Sequence, residues 1–251
     1  MTEPDYSRTD LAPPWRSFIV VDTETNGLDE GEHAVADPRV IELGAVRFDF
    51  GEVTGRFCSL VKTGVPIPPE ATAIHGIDDA RCEAEGVPMH EAWAGALSLF
   101  AEPVDCVIAY NGAFDFRFLN RDVKRARAEG FDVPAAPIAI RPPWIDVLVW
   151  VRHEKIDKFV RGTGRHKLSA TCQRHGVSLE NAHSAMADAE ACGRLWLALR
   201  RKVIACADGA SVATLLRTQV ALAEKQERDF QAWLSKQPPK VANATPKAGA
   251  A

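Results

Sequence analysis

Acidic side chains end an apolar run near the start of the chain. The stretch SFIVVDTETNGLD reads as a buried strand that ends in two carboxylates, Asp22 and Glu24. Because side chains on a strand alternate between its faces, Phe18, Val20, Asp22 and Glu24 line one side. Two like charges held close together repel, and burying either is costly without a compensating charge. One D-x-E pattern is weak by itself, and taken alone it is better explained by acids that stabilise a turn or cap a helix.

Two further acids stand on helical faces that should pack inward. Asp115 shares a helical stripe with Phe118 and Leu119 in NGAFDFRFLNRDV, because residues three and four apart lie on the same face. Asp188 begins a similar apolar stripe in HSAMADAEACGRLWLAL. An acid in the first turn of a helix also interacts favourably with the helix dipole, so each has a purely structural alternative.

Divalent cations give these four acids one common explanation. Mg²⁺ and Mn²⁺ take oxygen ligands, and carboxylates that share a cation no longer repel one another. Two such ions about 3.5–4 Å apart can clamp the attacking and leaving oxygens of a phosphodiester. His183 precedes Asp188 by five residues, where an imidazole could accept the proton of the attacking water. A lone histidine is more often structural, but this one lies beside a candidate metal ligand.

Composition limits the class of protein. The 251 residues fit one sizeable domain with appendages, and 46% apolar and 25% charged residues are ordinary for a globular protein. No run of 18 apolar residues occurs, so we expect no membrane partner. The six cysteines are scattered without a C-x-x-C pair, which favours a reducing, cytoplasmic environment over a zinc site.

Positive charge is unevenly distributed although the net charge is −4. One basic run spans residues 152–167, and a second cluster lies between Arg117 and Arg127. Such runs are usually solvated helix faces. If the first run overhangs the site, Arg161, Arg165 and Lys167 could steer a phosphate backbone.

The pattern of elements indicates a mixed sheet covered by helices. Predicted strands span 17–23, 39–49, 52–62 and 104–110, and predicted helices span 89–101, 167–175 and 185–202, with others after residue 111 and from Asp146. We expect four parts: a flexible arm at 1–15, a catalytic domain at 16–206, a helical extension at 207–236 and a disordered tail at 237–251. The extension could fold back onto the domain or dock to another protein.

The motifs resemble those of the DEDD superfamily of 3′→5′ exonucleases, in its DnaQ-like, histidine-bearing (DEDDh) branch. The matching segments are VDTETNGLD, AYNGAFDFRFL and HSAMADAEA, with IELGAVRFD and AIHGI between them, and the likeness covers roughly residues 16–202. Three motifs in this order make a strong signal. The resemblance implies an α/β, ribonuclease H-like fold whose mixed five-stranded sheet is flanked by helices.

The resemblance also implies residue roles. Asp22, Glu24, Asp115 and Asp188 would hold two divalent cations, Mg²⁺ or Mn²⁺, and His183 would be the general base. The substrate contacts expected beside these are Thr25, Asn26, Gly27, Leu28, Ile74, His75, Asn111 and Phe114. The basic run adds Arg165 and Lys167 to the expected substrate contacts. Leu28 and Ile74 would press on the terminal base, which gives little sequence preference.

The activity implied is removal of nucleoside 5′-monophosphates from the 3′ ends of single-stranded nucleic acid, with DNA favoured. RNA 3′-end trimming and oligoribonuclease activity are alternatives, because the motifs do not separate 2′-OH from 2′-H. A binding module with a nuclease fold, which docks to a polymerase through the C-terminal helix, is the alternative to an enzyme. A second copy of this chain is a further possible partner, because members of the family are often homodimers.

Overall fold

A five-stranded mixed sheet forms the centre of the protein in the computed structural model, which describes residues 16–31, 34–133, 144–153, 155–157, 164–207 and 211–236. The strands are β1 (Ser17–Thr25), β2 (Val40–Asp49), β3 (Glu52–Leu60), β4 (Cys106–Ala109) and β5 (Trp144–Asp146). Their spatial order is β3-β2-β1-β4-β5. The first three pair antiparallel, whereas β4 and β5 continue the sheet in parallel from β1. The predicted mixed five-stranded sheet is therefore confirmed.

Helices cover both faces of this sheet. They are α1 (Pro69–His75), α2 (Asp79–Glu85), α3 (Met89–Leu97), α4 (Gly112–Ala128), α5 (Val147–Val151), α6 (Leu168–Arg174), α7 (Ala185–Cys206) and α8 (Val212–Leu234). One hydrophobic cluster joins Phe18 and Val20 to residues of α7, and a second joins Ile19 and Val21 to residues of α4. β1 is apolar on both faces because each of its faces meets a helix.

Two stretches differ from the predicted elements. The helix expected from Asp146 begins at Val147 and follows the short strand β5. Residues 69–85 form two short helices, α1 and α2, which apolar periodicity did not indicate. Elements of three to seven residues carry too few side chains for a period to show, and their formation depends on neighbours such as β4.

The first half of α8 packs against the domain. Leu215 is fully buried in the same cluster as α7, and Gln219 contacts β5. Phe230, Trp233 and Leu234, near the end of the helix, are exposed. The expected arm at 1–15 and tail at 237–251 lie outside the described residues. Among the helices that are described, none is long and apolar enough to cross a membrane.

Candidate active site

The carboxylates singled out in the sequence lie at one end of the sheet. Asp22 and Glu24 are near the end of β1, while Asp115 and Asp188 are in the first turns of α4 and α7. One potential ligand atom each from Glu24, His183 and Asp188 lies within 4.8 Å of the others. Residues more than 150 positions apart in the chain thus converge on a space the size of a metal site.

The acids in this group raise one another's pKa. Burial is the largest cause for Asp22, whose pKa is raised well above its usual range, and the charges of Asp115 and Asp188 add to it. Burial and then Asp188 raise the pKa of Glu24 to about 8. Burial also raises the pKa of Asp188. Desolvation and mutual repulsion both oppose the charged form of carboxylates that are buried close together.

Asp115 is held by the strand beside it. Its Oδ1 accepts hydrogen bonds from the backbone amide of Thr23 at 2.9 Å and from the Thr23 hydroxyl at 2.8 Å. Burial raises the pKa of Asp115 to about 7, and the two bonds from Thr23 oppose that rise because they stabilise the charged form.

Asp188 offers a buried oxygen without a partner. Its Oδ2 accepts a hydrogen bond of 3.3 Å from the backbone amide of His183, whereas its Oδ1 is buried and has no donor among the described residues. A buried carboxylate oxygen without a donor is costly, so its position within the acidic group is well suited to a cation.

Glu42 is a fifth acid of this site, and the sequence reading did not single it out. It lies directly opposite Glu24 in the antiparallel pairing of β1 and β2, and it is 6% exposed. Its Oε2 accepts a hydrogen bond of 2.7 Å from the amide of Ala185, the first residue of α7. An acid inside the apolar strand segment RVIELGAVRF was the signal that could have identified it.

A glycine brings the start of α7 onto β2. A Cβ atom on Gly44 would lie 2.3 Å from the carbonyl carbon of Ala185 and 2.5 Å from the amide of Met186. Real Cβ atoms do not approach a backbone this closely, so only glycine fits. The close contact lets Glu42 reach Ala185 and thereby fixes the first turn of α7, which carries Asp188.

His183 lies on the loop entering α7, as expected, and is exposed. Its backbone has φ 70°, a left-handed conformation that is uncommon for residues other than glycine, although asparagine, aspartate and histidine adopt it more often than the rest. His75, at the end of α1, is near enough to be affected by it: burial lowers the pKa of His75, and His183 lowers it further.

Six of the expected nucleotide contacts lie at the end of β1, in the loop after it and at the end of α1. Leu28, in that loop, and Ile74, on α1, expose 42% and 60% of their surfaces. Asn26 is buried, and its side chain binds the backbone of Asp37, Pro66 and Arg39. The hydroxyl of Thr25 donates to the carbonyl of Gly27. The polar side chains of this loop therefore hold its shape, while Leu28 faces solvent.

Arginines of α4 bind acidic residues of the loop between β1 and β2. Arg117 and Arg121 each donate to Asp29 at 2.9 Å, and Arg125 donates to Asp37 at 2.6 Å. The cluster between Arg117 and Arg127 is thus partly neutralised by the chain's own acids. Its described contacts anchor the first loop beside the carboxylates.

The remaining expected contacts are more dispersed. Asn111 occupies the N-cap position of α4 and is exposed, and Phe114 packs against Phe118 with their ring centroids 4.5 Å apart. Arg165 and Lys167 are exposed just before α6 and pair with no carboxylate among the described residues. Arg161 lies outside the described residues.

The donor set fits hard divalent cations. It contains several carboxylates and one imidazole, and Mg²⁺ and Mn²⁺ prefer oxygen ligands. A bound cation would offset the repulsion that raises the pKa of Asp22 and Glu24. Asp22, Glu24, Asp115 and Asp188 are the residues that would hold it, with His183 beside them.

Comparison with protein families gives a match over most of the chain. The RNase_T family model, described as an exonuclease, matches residues 19–196. The PolC-type DNA polymerase III of Streptococcus suis is 29% identical over 190 residues, which is 76% of this chain and 12% of that protein. The chain therefore spans about one-eighth of the length of this curated relative.

Solved structures share the fold. Escherichia coli exonuclease I in complex with a dA16 oligonucleotide has a TM-score of 0.60 at 23% identity, covering 74% of this chain and 41% of that one. Exonuclease X in complex with 5′ overhanging duplex DNA has a TM-score of 0.56 at 18% identity, covering 80% of this chain and 99% of that one. The sheet and its flanking helices are thus ribonuclease H-like, and the chain belongs to the RNase_T exonuclease family.

Proposed function

We propose that this chain is a metal-dependent 3′→5′ exonuclease that removes nucleoside 5′-monophosphates from single-stranded DNA. The observation that carries the proposal is the convergence of Glu24, His183 and Asp188, whose ligand atoms lie within 4.8 Å of one another beside two further carboxylates. The family match supports hydrolysis of nucleic acid, and the oligonucleotide-bound relative supports a single strand. DNA is favoured over RNA because the curated relative is a DNA polymerase.

Each group in the site has a distinct task in this proposal. When bound, two Mg²⁺ or Mn²⁺ ions supply electrostatic stabilisation of the charge that develops on the phosphodiester. Asp22, Glu24, Asp115 and Asp188 would hold these ions. His183 accepts the proton of the attacking water, for which its exposed position beside Asp188 is suited.

The loops beside the carboxylates bind the terminal nucleotide. Two exposed apolar side chains would enclose this nucleotide: Leu28 in the loop after β1 and Ile74 on α1. Base contacts made by apolar side chains discriminate weakly between sequences. Arg165 and Lys167 are exposed cations on the chain that leads to the catalytic histidine, and they attract the phosphate backbone further from the 3′ end.

A nuclease-fold docking module is the rival function, and it would bind a polymerase without hydrolysis. Loss of a metal-binding carboxylate would be its signature. This chain keeps all four acids together with the histidine, which favours hydrolysis. Docking through the exposed end of α8 is compatible with activity as a second role.

The test is degradation of a single-stranded DNA oligonucleotide labelled at its 5′ end, with Mg²⁺ or Mn²⁺. A 3′→5′ enzyme produces a ladder of shortening labelled products, whereas attack from the 5′ end releases the label at once. We expect Asp188→Asn to abolish the ladder, His183→Asn to slow its formation by about 10²–10⁴-fold, and Glu190→Gln to retain it. Glu190 is the matched control because it lies on α7 but pairs with Arg56 and Arg194 at the surface.

The same assay on an RNA oligonucleotide of matched sequence separates the RNA alternatives. Faster digestion of RNA would replace DNA as the proposed substrate and leave the mechanism intact. Unchanged laddering in both site variants would refute the assignment of the site, and absence of any degradation by the metal-loaded wild type would favour the docking module.

A further inference from the structure

A buried amide on α8 bonds to the free edge of the sheet. The Gln219 side chain is 9% exposed, and its Oε1 accepts hydrogen bonds from the backbone amide of Asp146 at 2.9 Å and from the indole of Trp150 at 3.0 Å. Its Nε2 donates to the carbonyl of Trp144 at 3.0 Å. β5 is the outermost strand on this side of the sheet, so Gln219 binds groups that no further strand would satisfy.

The side chain of Asp146 reaches from this edge to the beginning of α4. Its Oδ1 accepts from the amides of Asn111 at 3.0 Å and Leu148 at 2.9 Å, and its Oδ2 accepts from the amide of Gly112 at 3.1 Å. Asp146 is 7% exposed, and every contact just named is a backbone amide. A buried carboxylate with three amide donors has a closely defined position.

This carboxylate takes over a role that the N-cap residue of α4 leaves unfilled. Asn111 is left-handed, with φ 66°, and its side chain makes no capping hydrogen bond. Asp146 instead satisfies the first amides of the helix from a neighbouring strand. Asp115 follows within the first turn, so the placement of its carboxylate depends both on Asp146 and on the bonds from Thr23.

We propose that Gln219 and Asp146 are positioning residues, which hold the first turn of α4 so that the Asp115 carboxylate faces the metal site. The inference rests on the proposed function, because it takes Asp115 as a metal ligand. It goes beyond the family likeness, since Gln219 lies outside the matched residues 19–196. In this view α8 is a supporting element of the active site through one side chain, in addition to any role at its exposed end.

A pair of glutamines on α8 provides a matched test. Gln219→Met keeps the length and volume of the side chain but removes the amide that faces β5. Gln226→Met is the control, because Gln226 also lies on α8 and donates to a backbone carbonyl, that of Val149 in α5 at 2.8 Å. Both variants lose a contact between α8 and the domain, but only the first touches Asp146.

The measurements are the dissociation constant for Mn²⁺ by titration calorimetry and the hydrogen-exchange rates of amides between Asn111 and Asp115. Residues that support metal ligands typically change metal affinity by about 10–100-fold when they are replaced. We expect Gln219→Met to weaken Mn²⁺ binding by about tenfold and to speed amide exchange at the start of α4. Gln226→Met should change neither quantity. Equal Mn²⁺ affinity in the two variants would overturn the proposal.

Two further variants keep the outcomes separate. Asp115→Asn, measured in parallel, tests the proposed metal site itself: if it leaves Mn²⁺ affinity unchanged, the proposed function fails together with this inference. If Asp115→Asn weakens binding and Gln219→Met does not, only the role of Gln219 is wrong. Should Gln219→Met not fold, Asp146→Asn tests the same link, because its side-chain NH2 must face one of the backbone amides that the carboxylate now accepts from. We expect this variant to weaken Mn²⁺ binding by about tenfold. Unchanged Mn²⁺ affinity in that variant would contradict the proposal.

Discussion

The Glu42 carboxylate accepts a hydrogen bond of 2.7 Å from the amide of Ala185, across 143 residues of chain. This bond joins β2 to the first residue of α7, and Asp188 lies in the first turn of that helix. Glu42 also faces Glu24 across the pairing of β1 and β2. One side chain therefore adds negative charge to the site and fixes the helix that carries another of its acids.

Separating these two effects requires two substitutions at Glu42. Glu42→Gln keeps an oxygen acceptor for Ala185 and removes the charge, whereas Glu42→Ala removes both. A hydrogen bond to a charged group contributes about 1.5–3 kcal/mol, so we expect a loss of that order in the free energy of unfolding for Glu42→Ala and a smaller loss for Glu42→Gln. Urea unfolding with Mn²⁺ titration checks both effects. Equal losses in the two variants would show that the hydrogen bond is not the stabilising contribution.

Gly44→Ala should displace the start of α7. The added Cβ would meet the backbone of Ala185 at 2.3 Å, and a backbone atom cannot rotate away as a side chain can. Overpacking of this kind costs about 1–3 kcal/mol, and we also expect a large loss of exonuclease activity because Asp188 moves with the helix.

Gly193→Ala is the control for that variant. Gly193 also lies on α7, and an added Cβ would meet the ring of Phe48 at 2.3 Å. It should therefore destabilise the fold while the folded fraction keeps its activity. Thermal unfolding measures the stability of both variants, and a nuclease assay measures their activity per folded molecule. Similar activity per folded molecule in Gly44→Ala and Gly193→Ala would contradict the role given to Gly44.

The sequence was sufficient to find the acids that stand where a polar residue is unexpected. Asp22, Asp115 and Asp188 interrupt apolar patterns, and their motifs occur in the order typical of a known family. Glu42 interrupts a pattern in the same way. Its importance depends on the register of β1 against β2 and on an amide 143 residues away, and neither follows from local periodicity.

Other features depended on contacts that no local pattern encodes. β5 has three residues, too few to show alternation, and it forms because β4 offers an edge. Gln219 looks like a solvated residue of an amphipathic helix until β5 is placed beside it. The arginines of α4 looked like a solvated helix face, and Asp29 and Asp37 of the first loop bind three of them.

The two halves of α8 should differ in their contribution to stability. Leu215 is fully buried, and replacing such a leucine with alanine costs about 2–5 kcal/mol. Trp233 is 54% exposed near the other end, and a surface substitution of this kind usually changes stability by less than about 0.5 kcal/mol. Chemical unfolding of Leu215→Ala and Trp233→Ala tests the difference. A comparable loss in both would mean that the distal half also packs on the domain.

Stability without added metal should fall as the pH rises. The pKa of Glu24 is raised from 4.5 to about 8 in the folded protein. Between these values the unfolded chain has released this proton while the folded protein retains it, so the unfolded state binds fewer protons and stability decreases with pH. Each kcal/mol lost lowers the Tm by about 2–4 °C for a domain of this size.

Added Mn²⁺ should reverse this loss. A cation binds the ionised carboxylates of the folded state, so the rise in Tm that it produces should be larger at pH 8.5 than at pH 5.5. Glu24→Gln, which cannot ionise at this position, should show a weaker dependence on pH without metal. Scanning calorimetry in a chelator and in Mn²⁺ provides the measurement. A metal-free Tm that increases between pH 5.5 and pH 8.5 would contradict the raised pKa.

His183→Asn is the sharpest substitution for the proposed base. The backbone of His183 has φ 70°, a conformation that asparagine adopts readily, so the variant removes the imidazole without straining the loop. Removal of a general base typically lowers the rate by about 10²–10⁴-fold, and we expect kcat to fall in this range while Mn²⁺ affinity stays within about twofold of wild type, less than the change expected on loss of a supporting residue. Single-turnover digestion and calorimetry measure the two quantities. Because the imidazole lies within 4.8 Å of possible ligand atoms on Glu24 and Asp188, a large loss of Mn²⁺ affinity would instead identify His183 as a metal ligand.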